Sequence, residues 1–128
     1  RLAIVICSEM GAPAVKKALA DARPDLLLHP SAGSLAKERL VWSEAGEAKA
    51  VASFSEECRG VVEKAAQQAR LTGMPKAGAN PLGFDGETWW PGNSYAVDAR
   101  GEVVLWLPGE NRPERMRQPR LAVGNLPV

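Results

Sequence analysis

The opening of the chain alternates between short apolar runs and a helical pattern. The run over residues 2–6 is continuously apolar and ends at Cys7, which predicts a strand covered on both faces. Pro13 suits the first turn of a following helix, and Arg23-Pro24 ends it. The apolar face of this helix recurs at helical spacing: Val15, Ala18, Leu19 and Ala22. Residues 26–29 predict a second strand, parallel to the first because crossover connections are right-handed.

The middle of the chain predicts helices. Residues 34–52 contain helix formers interrupted by Gly46, which predicts a helix with a break. Ser53 and Glu56 have the spacing of a capping box, so they predict the start of a helix that ends at Gly73. Its apolar stripe consists of Cys58, Val61, Val62, Ala65 and Ala69. Cys58 is therefore expected to lie in the core.

The last third of the chain predicts strands and loops. Residues 75–80 predict a short strand, and residues 81–92 predict a long loop. Trp89-Trp90 in that loop either cover something or plug the loop onto the sheet. Residues 94–107 predict a hairpin with a type I turn and a glycine bulge. Residues 121–123 predict a final edge strand or an extended arm.

Composition narrows the class of protein. The chain has 128 residues and is 45% hydrophobic, which predicts a single domain over residues 1–128. Its 16 basic and 15 acidic residues nearly cancel, so we expect no nucleic-acid partner. No apolar run is long enough to predict a membrane segment. Two cysteines favour a reducing, cytoplasmic location over a disulfide framework. Because Arg1 stands directly before the first strand, we expect a piece of a longer protein.

The candidate chemistry lies at the end of the first strand. Open α/β sheets place reactive groups at the carboxyl ends of their strands, where Cys7 stands. From the residues alone, a thiol there is either a small buried hydrophobe or a nucleophile. His29, at the end of the neighbouring strand, is either half of a cysteine–histidine pair or a hydrogen-bonded structural residue. One histidine and two distant cysteines predict no metal site.

Several segments in order resemble the carbon–nitrogen hydrolase (nitrilase) superfamily. The stretch around Cys7 looks like that family's nucleophile region, and the later stretches look like its helix end, following strand and closing hairpin. The segments that carry the resemblance are RLAIVICSE (1–9), PDLLLHPSA (24–32), QARLTGMP (68–75), AGANPLG (77–83) and GNSYAVDARGEV (92–103). The resemblance implies an α/β fold, namely the C-terminal half of an α-β-β-α four-layer sandwich with a mixed sheet.

The resemblance also implies roles for individual residues. Cys7 would be the nucleophile, and the backbone amide of Ser8 would help to hold the oxyanion. The remaining pocket residues would be Met10, Ser31, Ala32 and Gly33. The family uses no cofactor, and its glutamate base and lysine lie N-terminal to the nucleophile, whereas only six residues precede Cys7 here. Glu9 matches an acidic position of the family that is not the general base.

The implied activity is that of a hydrolase or acyltransferase acting on an amide or nitrile through a cysteine thioester. The expected partners are such a small-molecule substrate and either a second copy in a homo-oligomer or the missing N-terminal half. Two alternatives remain open. One is a non-catalytic, truncated nitrilase-like module, favoured by Leu71 where the family has a glutamate. The other is a flavodoxin-like binding domain, disfavoured because no glycine-rich phosphate loop follows the first strand.

Overall fold

The computed structural model describes residues 1–42 and 47–127. Within these ranges three helices and seven strands follow one another along the chain. The helices are α1 (Pro13–Ala22), α2 (Glu47–Thr72) and α3 (Pro113–Met116). The strands are β1 (Leu2–Ile4), β2 (Leu26–Pro30), β3 (Lys76–Ala79), β4 (Leu82–Phe84), β5 (Trp89–Pro91), β6 (Ser94–Val97) and β7 (Val103–Leu107).

Five of the strands form one mixed sheet in the order β1-β2-β3-β6-β7. β1, β2 and β3 run parallel, and β6 and β7 join them antiparallel. The strand, helix, strand opening and the closing hairpin are therefore confirmed, as is the α/β class with a mixed sheet. β4 and β5 form a separate two-stranded hairpin.

Helices cover one face of the sheet. Tyr95 and Val97 on β6 pack against four small or branched residues of α2: Val62, Ala65, Ala66 and Ala69. Leu27 on β2 packs with Val5 and with Leu19 of α1. These side chains alternate along their strands with residues of the other face, as the two-residue period of a strand requires. We call this side of the sheet the covered face.

The opposite face, which we call the uncovered face, is apolar and has no helix packed on it in the described part of the chain. The strand register places one row across all five strands: Ile4, Leu28, Ala77, Ala96 and Leu105. None of these five is buried, and Ile4 itself is 61% exposed. The expectation that the opening strand is covered on both faces is therefore wrong for this chain.

The helical predictions for the middle of the chain need correction. α2 begins at Glu47, so Ser53 and Glu56 lie inside the helix and do not cap it. Residues 34–42 form a 3₁₀ turn at Lys37–Arg39 instead of an α-helix. The apolar residues there are used in packing, because Leu35 pairs with Trp89 and enters the core. The predicted break at Gly46 lies outside the described residues. The predicted end at Gly73 is confirmed, with a φ of 66°.

The segment 81–92 is a hairpin and not the loop that its glycines predict. Trp89 on β5 is buried and stacks on Phe84 with ring centroids 4.6 Å apart. Trp90 donates from Nε1 to the Asp85 carboxylate at 2.9 Å. Trp89 therefore plugs the hairpin onto the core formed with the start of α2.

Residues 119–127 form neither helix nor strand. Of the two alternatives predicted for residues 121–123, the edge strand is therefore wrong, and an arm agrees with the 86% exposure of Leu121 and Val123. The segment before them, residues 108–119, contains both acidic and basic residues, and part of it packs into the fold. Glu110 and Arg112 form a largely buried ion pair at 2.8 Å, and Met116 of α3 is fully buried.

Candidate active site

Cys7 lies just beyond the carboxyl end of β1, as the first residue of a 3₁₀ helix over Cys7–Gly11. Its φ is 47°, in the left-handed region that residues with a β-carbon rarely adopt. The side chain is exposed. Such backbone outliers cluster at functional sites, where the surrounding structure holds them in place. Cys7 is therefore presented to solvent on a strained turn and is not a core thiol.

Glu9 holds this turn together. Its carboxylate accepts a hydrogen bond from the Ile6 amide at 3.0 Å, and its own amide donates to the Ile6 carbonyl at 3.1 Å. The first bond is the half of a capping box that a glutamate supplies, and the second is the backbone bond that closes the 3₁₀ turn. Glu9 thus stabilises the turn, which agrees with the expectation that it is not the general base.

His29 approaches Cys7, but through the backbone. Its Nε2 lies 3.0 Å from the Cys7 carbonyl oxygen. Because a carbonyl oxygen only accepts hydrogen bonds, Nε2 carries the proton in this contact. The arrangement supports the interpretation of His29 as a hydrogen-bonded structural residue that steadies the turn. It gives no support to a cysteine–histidine pair.

A polar network joins the carboxyl ends of β2 and β3. Ser31 donates from Oγ to Asn80 Oδ1 at 2.8 Å, and Asn80 donates from Nδ2 to the Asn93 carbonyl at 2.6 Å. Asn93 in turn donates to the Cys58 carbonyl at 3.0 Å and accepts from Trp106 Nε1 at 2.8 Å. Asn80 and Asn93 were not predicted from the sequence. The signal available was the position of Asn80 directly after a predicted strand.

The other predicted site residues lie in different places. Ser31 is half-buried at the end of β2, and Ala32 and Gly33 follow it on the surface. Ser8 is exposed, and its amide lies in the first helical turn, where amides have no partner within the helix. Met10 is turned toward the covered face and packs against the cluster of Val5, Leu19 and Leu27. Their substrate roles stay predictions.

The second cysteine is also a free thiol, but it is buried whereas Cys7 is exposed. Cys58 lies inside α2 and is buried among Phe54, Trp89 and their neighbours. Burial raises the pKa of the Cys58 thiol, so its reactive thiolate form is disfavoured. The predicted core role of Cys58 is confirmed.

Residues 1–42 and 47–127 contain no cluster of three or more potential metal ligands. The helices within the same ranges are too short or too polar to cross a membrane.

The five-stranded sheet with helices on one face is similar to part of the solved structures of carbon–nitrogen hydrolases. A carbon–nitrogen hydrolase from Helicobacter pylori matches 91% of this chain with a TM-score of 0.60 and 19% identity. Glutamine-dependent NAD+ synthetase from Acinetobacter baumannii matches 83% of it with a TM-score of 0.60 and 15% identity. A nitrilase-superfamily amidase from Nesterenkonia matches 85% with a TM-score of 0.55 and 21% identity.

The match extends over only part of those proteins. The chain spans 41% of the hydrolase, 34% of the amidase and 17% of the synthetase. No family model and no curated protein matches its sequence. The likeness is therefore one of fold, and it agrees with the predicted α/β class with a mixed sheet, while the four-layer sandwich stays a prediction.

Proposed function

We propose that Cys7 is the nucleophile of a hydrolase or acyltransferase that acts on amides or nitriles. The observation that carries this proposal is the exposed thiol on a left-handed turn at the carboxyl end of β1. The carboxyl ends of β2 and β3 lie beside it, since the three strands are parallel neighbours. Ligands of open α/β sheets bind at this edge.

The proposed reaction has two stages. The thiolate of Cys7 attacks the carbonyl carbon of an amide, and the carbon–sulfur bond forms as the oxygen takes the negative charge. The carbon–nitrogen bond then breaks, and the nitrogen leaves as ammonia or an amine after it receives a proton. Water, or another acceptor, attacks the thioester and releases the thiolate. A nitrile would pass through a thioimidate instead.

The turn that carries Cys7 provides one donor for the developing charge. The Ser8 amide points out of a first helical turn, and a backbone N–H aimed at an oxyanion stabilises the transition state. His29 and Glu9 hold the backbone on either side of the thiol. We propose that they keep the Ser8 amide and the Cys7 sulfur in a constant relative position.

A structural neighbour offers chemical support for the proposal. A mutant of the Nesterenkonia amidase shows covalent addition of the acetamide moiety of fluoroacetamide at its active-site cysteine. We propose that Cys7 reacts in the same way. The family's glutamate base and lysine would come from a second sheet that packs on the uncovered face and completes the four-layer sandwich.

The uncovered face supports such a partner layer. Leu2, Ile4 and Ile6 of the edge strand region are 58%, 61% and 57% exposed. Apolar patches of this kind mark surfaces that pack against something else. The partner is either the N-terminal half of the same fold or a second copy of the chain. The two free cysteines fit a reducing compartment such as the cytoplasm.

Fluoroacetamide provides the test. The protein as it occurs in the cell is incubated with the reagent, and peptide mass spectrometry locates the adduct. We expect addition at Cys7, loss of the adduct in Cys7→Ala and its retention in Cys58→Ala. Amide hydrolysis should be lost together with the adduct. Hydrolysis that persists in Cys7→Ala contradicts the proposal.

A second candidate function is a non-catalytic module. It is favoured by the hydrogen bonds at Cys7, which in the described residues involve its carbonyl and not its thiol. In that case Cys7 alkylates no faster in the folded protein than in urea. A faster rate in the folded protein supports the enzyme.

A further inference from the structure

A cavity lies on the covered face, and Met10 is the member of the Cys7–Gly11 turn that lines it. It has a volume of about 1080 Å³ and opens between α1 and the end of α2. Leu27 and Lys76 belong to the strands beneath it, and Leu19 and Ala69 to the helices beside it. Lys76 is the first residue of β3, at the opposite end of the parallel strands from Cys7.

Lys76 is the unusual member of this lining. The residue is 5% exposed, and its Nζ donates to the neutral Gln68 side chain at 3.2 Å. An ammonium group has three donors, and in the described part of the chain Nζ has no carboxylate within ion-pair distance. Burial lowers the pKa of Lys76, as expected for a charge without a counterion.

The other charged residues around the cavity leave an excess of positive charge. Lys16 of α1 and Arg23 at its end both line it, and neither forms an ion pair within the described ranges. Asp25 and Asp98 also line it. Asp25 accepts from the backbone nitrogen of Arg1, however, and Asp98 accepts from Arg100, which is a further residue of the lining.

We propose that this cavity binds a small amphipathic carboxylate. The carboxylate would accept from Lys76 Nζ at the floor, and the apolar part of the molecule would lie against Leu19, Leu27 and Met74. An unpaired charge is costly to bury, so a bound carboxylate would supply the partner that Lys76 Nζ lacks among the described residues. Lys76 lies at the opposite end of the parallel strands from Cys7, so the proposal does not depend on the function proposed for the thiol.

Octanoate and octan-1-ol have the same length of apolar chain, but only octanoate has a carboxylate. A comparison of their affinities therefore measures the contribution of the charge. Isothermal titration calorimetry at neutral pH should show octanoate binding about tenfold tighter than the alcohol, the effect of one charge-assisted hydrogen bond. Lys76→Met should remove this preference, and octan-1-ol binding should stay within about threefold. Lys64→Met, an exposed lysine of α2, is the matched control and should change neither affinity.

Equal affinity for the two ligands overturns the proposal, and so does a preference that persists in Lys76→Met. The latter outcome would place octanoate elsewhere, for example on the uncovered face. A measurement on the unmodified protein guards against a variant that does not fold. Saturating octanoate should slow acetylation of Lys76 by acetic anhydride about tenfold and leave Lys64 unaffected. Unchanged acetylation of Lys76 also overturns the proposal.

Discussion

The two faces of the sheet have different residues and different surroundings. On the covered face, Tyr95 and Val97 alternate with Ala96 of the uncovered face along the same strand. Val97 is fully buried, whereas Ala96 is only partly so. Along this one strand, Tyr95 and Val97 therefore face the core, whereas Ala96 faces a surface that no helix covers in the described residues.

The difference shows that burial within this chain and apolar character are separate properties. A row of apolar residues crosses all five strands on the uncovered face without a helix packed on it in the described ranges. Folding of the chain alone depends on the covered face, since burial is what stabilises it. The uncovered face is free to serve an assembly. Five substitutions test this division.

Val97→Asp should have the largest effect. It places an unpaired carboxylate at a fully buried position, which should lower the free energy of unfolding by about 4 kcal/mol or more. Ala96→Asp, the neighbour on the uncovered face, should cost about 1 kcal/mol or less. Urea unfolding followed by circular dichroism measures both. Equal losses would mean that the two faces are equally buried in solution.

Gly78→Ala tests close packing on the covered face. A β-carbon there would lie 2.6 Å from the Tyr95 ring, so the ring must move, and we expect a loss of about 1–3 kcal/mol. Gly33→Ala is the control, because nothing lies within 4 Å of its added methyl. Thermal unfolding compares the two variants. A loss in the control as large as that in Gly78→Ala would show that the ring contact is not the cause.

Trp106→Phe tests the polar network beneath α2. Removal of the indole N–H leaves Asn93 Oδ1 without its donor in a buried residue, which should cost about 1–3 kcal/mol. Trp90→Phe removes an exposed indole bond to Asp85, where water replaces the donor. Urea unfolding should therefore show a smaller loss for Trp90→Phe. The reverse order would exclude the network as a source of stability.

Lys76→Met should change how stability depends on pH. Burial lowers the pKa of Lys76 in the folded chain below its ordinary 10.5, so the unfolded chain binds more protons between the two values. The stability of the unmodified protein thus rises with pH across this window. Lys76→Met removes this buried charge, so the free energy of unfolding of the variant should exceed that of the unmodified protein most below the folded pKa of Lys76. The difference, measured by urea unfolding at several pH values, should shrink toward pH 10.5. A stability difference between the two proteins that stays constant across this window would contradict the prediction.

Ile4→Ser should have the smallest effect on folding. Ile4 is 61% exposed, so we expect a change within about 0.5 kcal/mol in the unfolding of the monomer. The same change should weaken self-association of the chain at micromolar concentration, measured by light scattering, because it breaks the apolar row. A chain that is monomeric before the substitution would contradict the proposed role of the uncovered face.

Much of the fold follows from local patterns. The run ending at Cys7, the helix starting at Pro13 and the glycine turn at residue 101 are each specified by neighbours in sequence. The start of α2 is not, because Ser53 and Glu56 match a capping box that the longer helix overrides. The hairpin at 82–91 was missed because its strands are short and are held by Trp89 in the core.

The candidate site was predictable in place but not in geometry. The apolar run placed Cys7 at the carboxyl end of a strand; the strand itself ends at Ile4, and Cys7 begins the 3₁₀ helix that follows it. Its left-handed φ depends on contacts with His29, 22 residues away, and on the Glu9 cap. Asn80 and Asn93 meet only because β3 and β6 pair. Contacts of this kind arise from tertiary structure, and a single sequence contains no periodic signal for them.

The backbone at Cys7 sets a conflict between folding and chemistry. A glycine at this position would relieve about 1 kcal/mol of left-handed strain, so the chain would fold more stably without the thiol. The same glycine would remove the one side chain that can attack a substrate there. If the thiol acts as proposed, selection for stability and selection for activity favour different residues at this position.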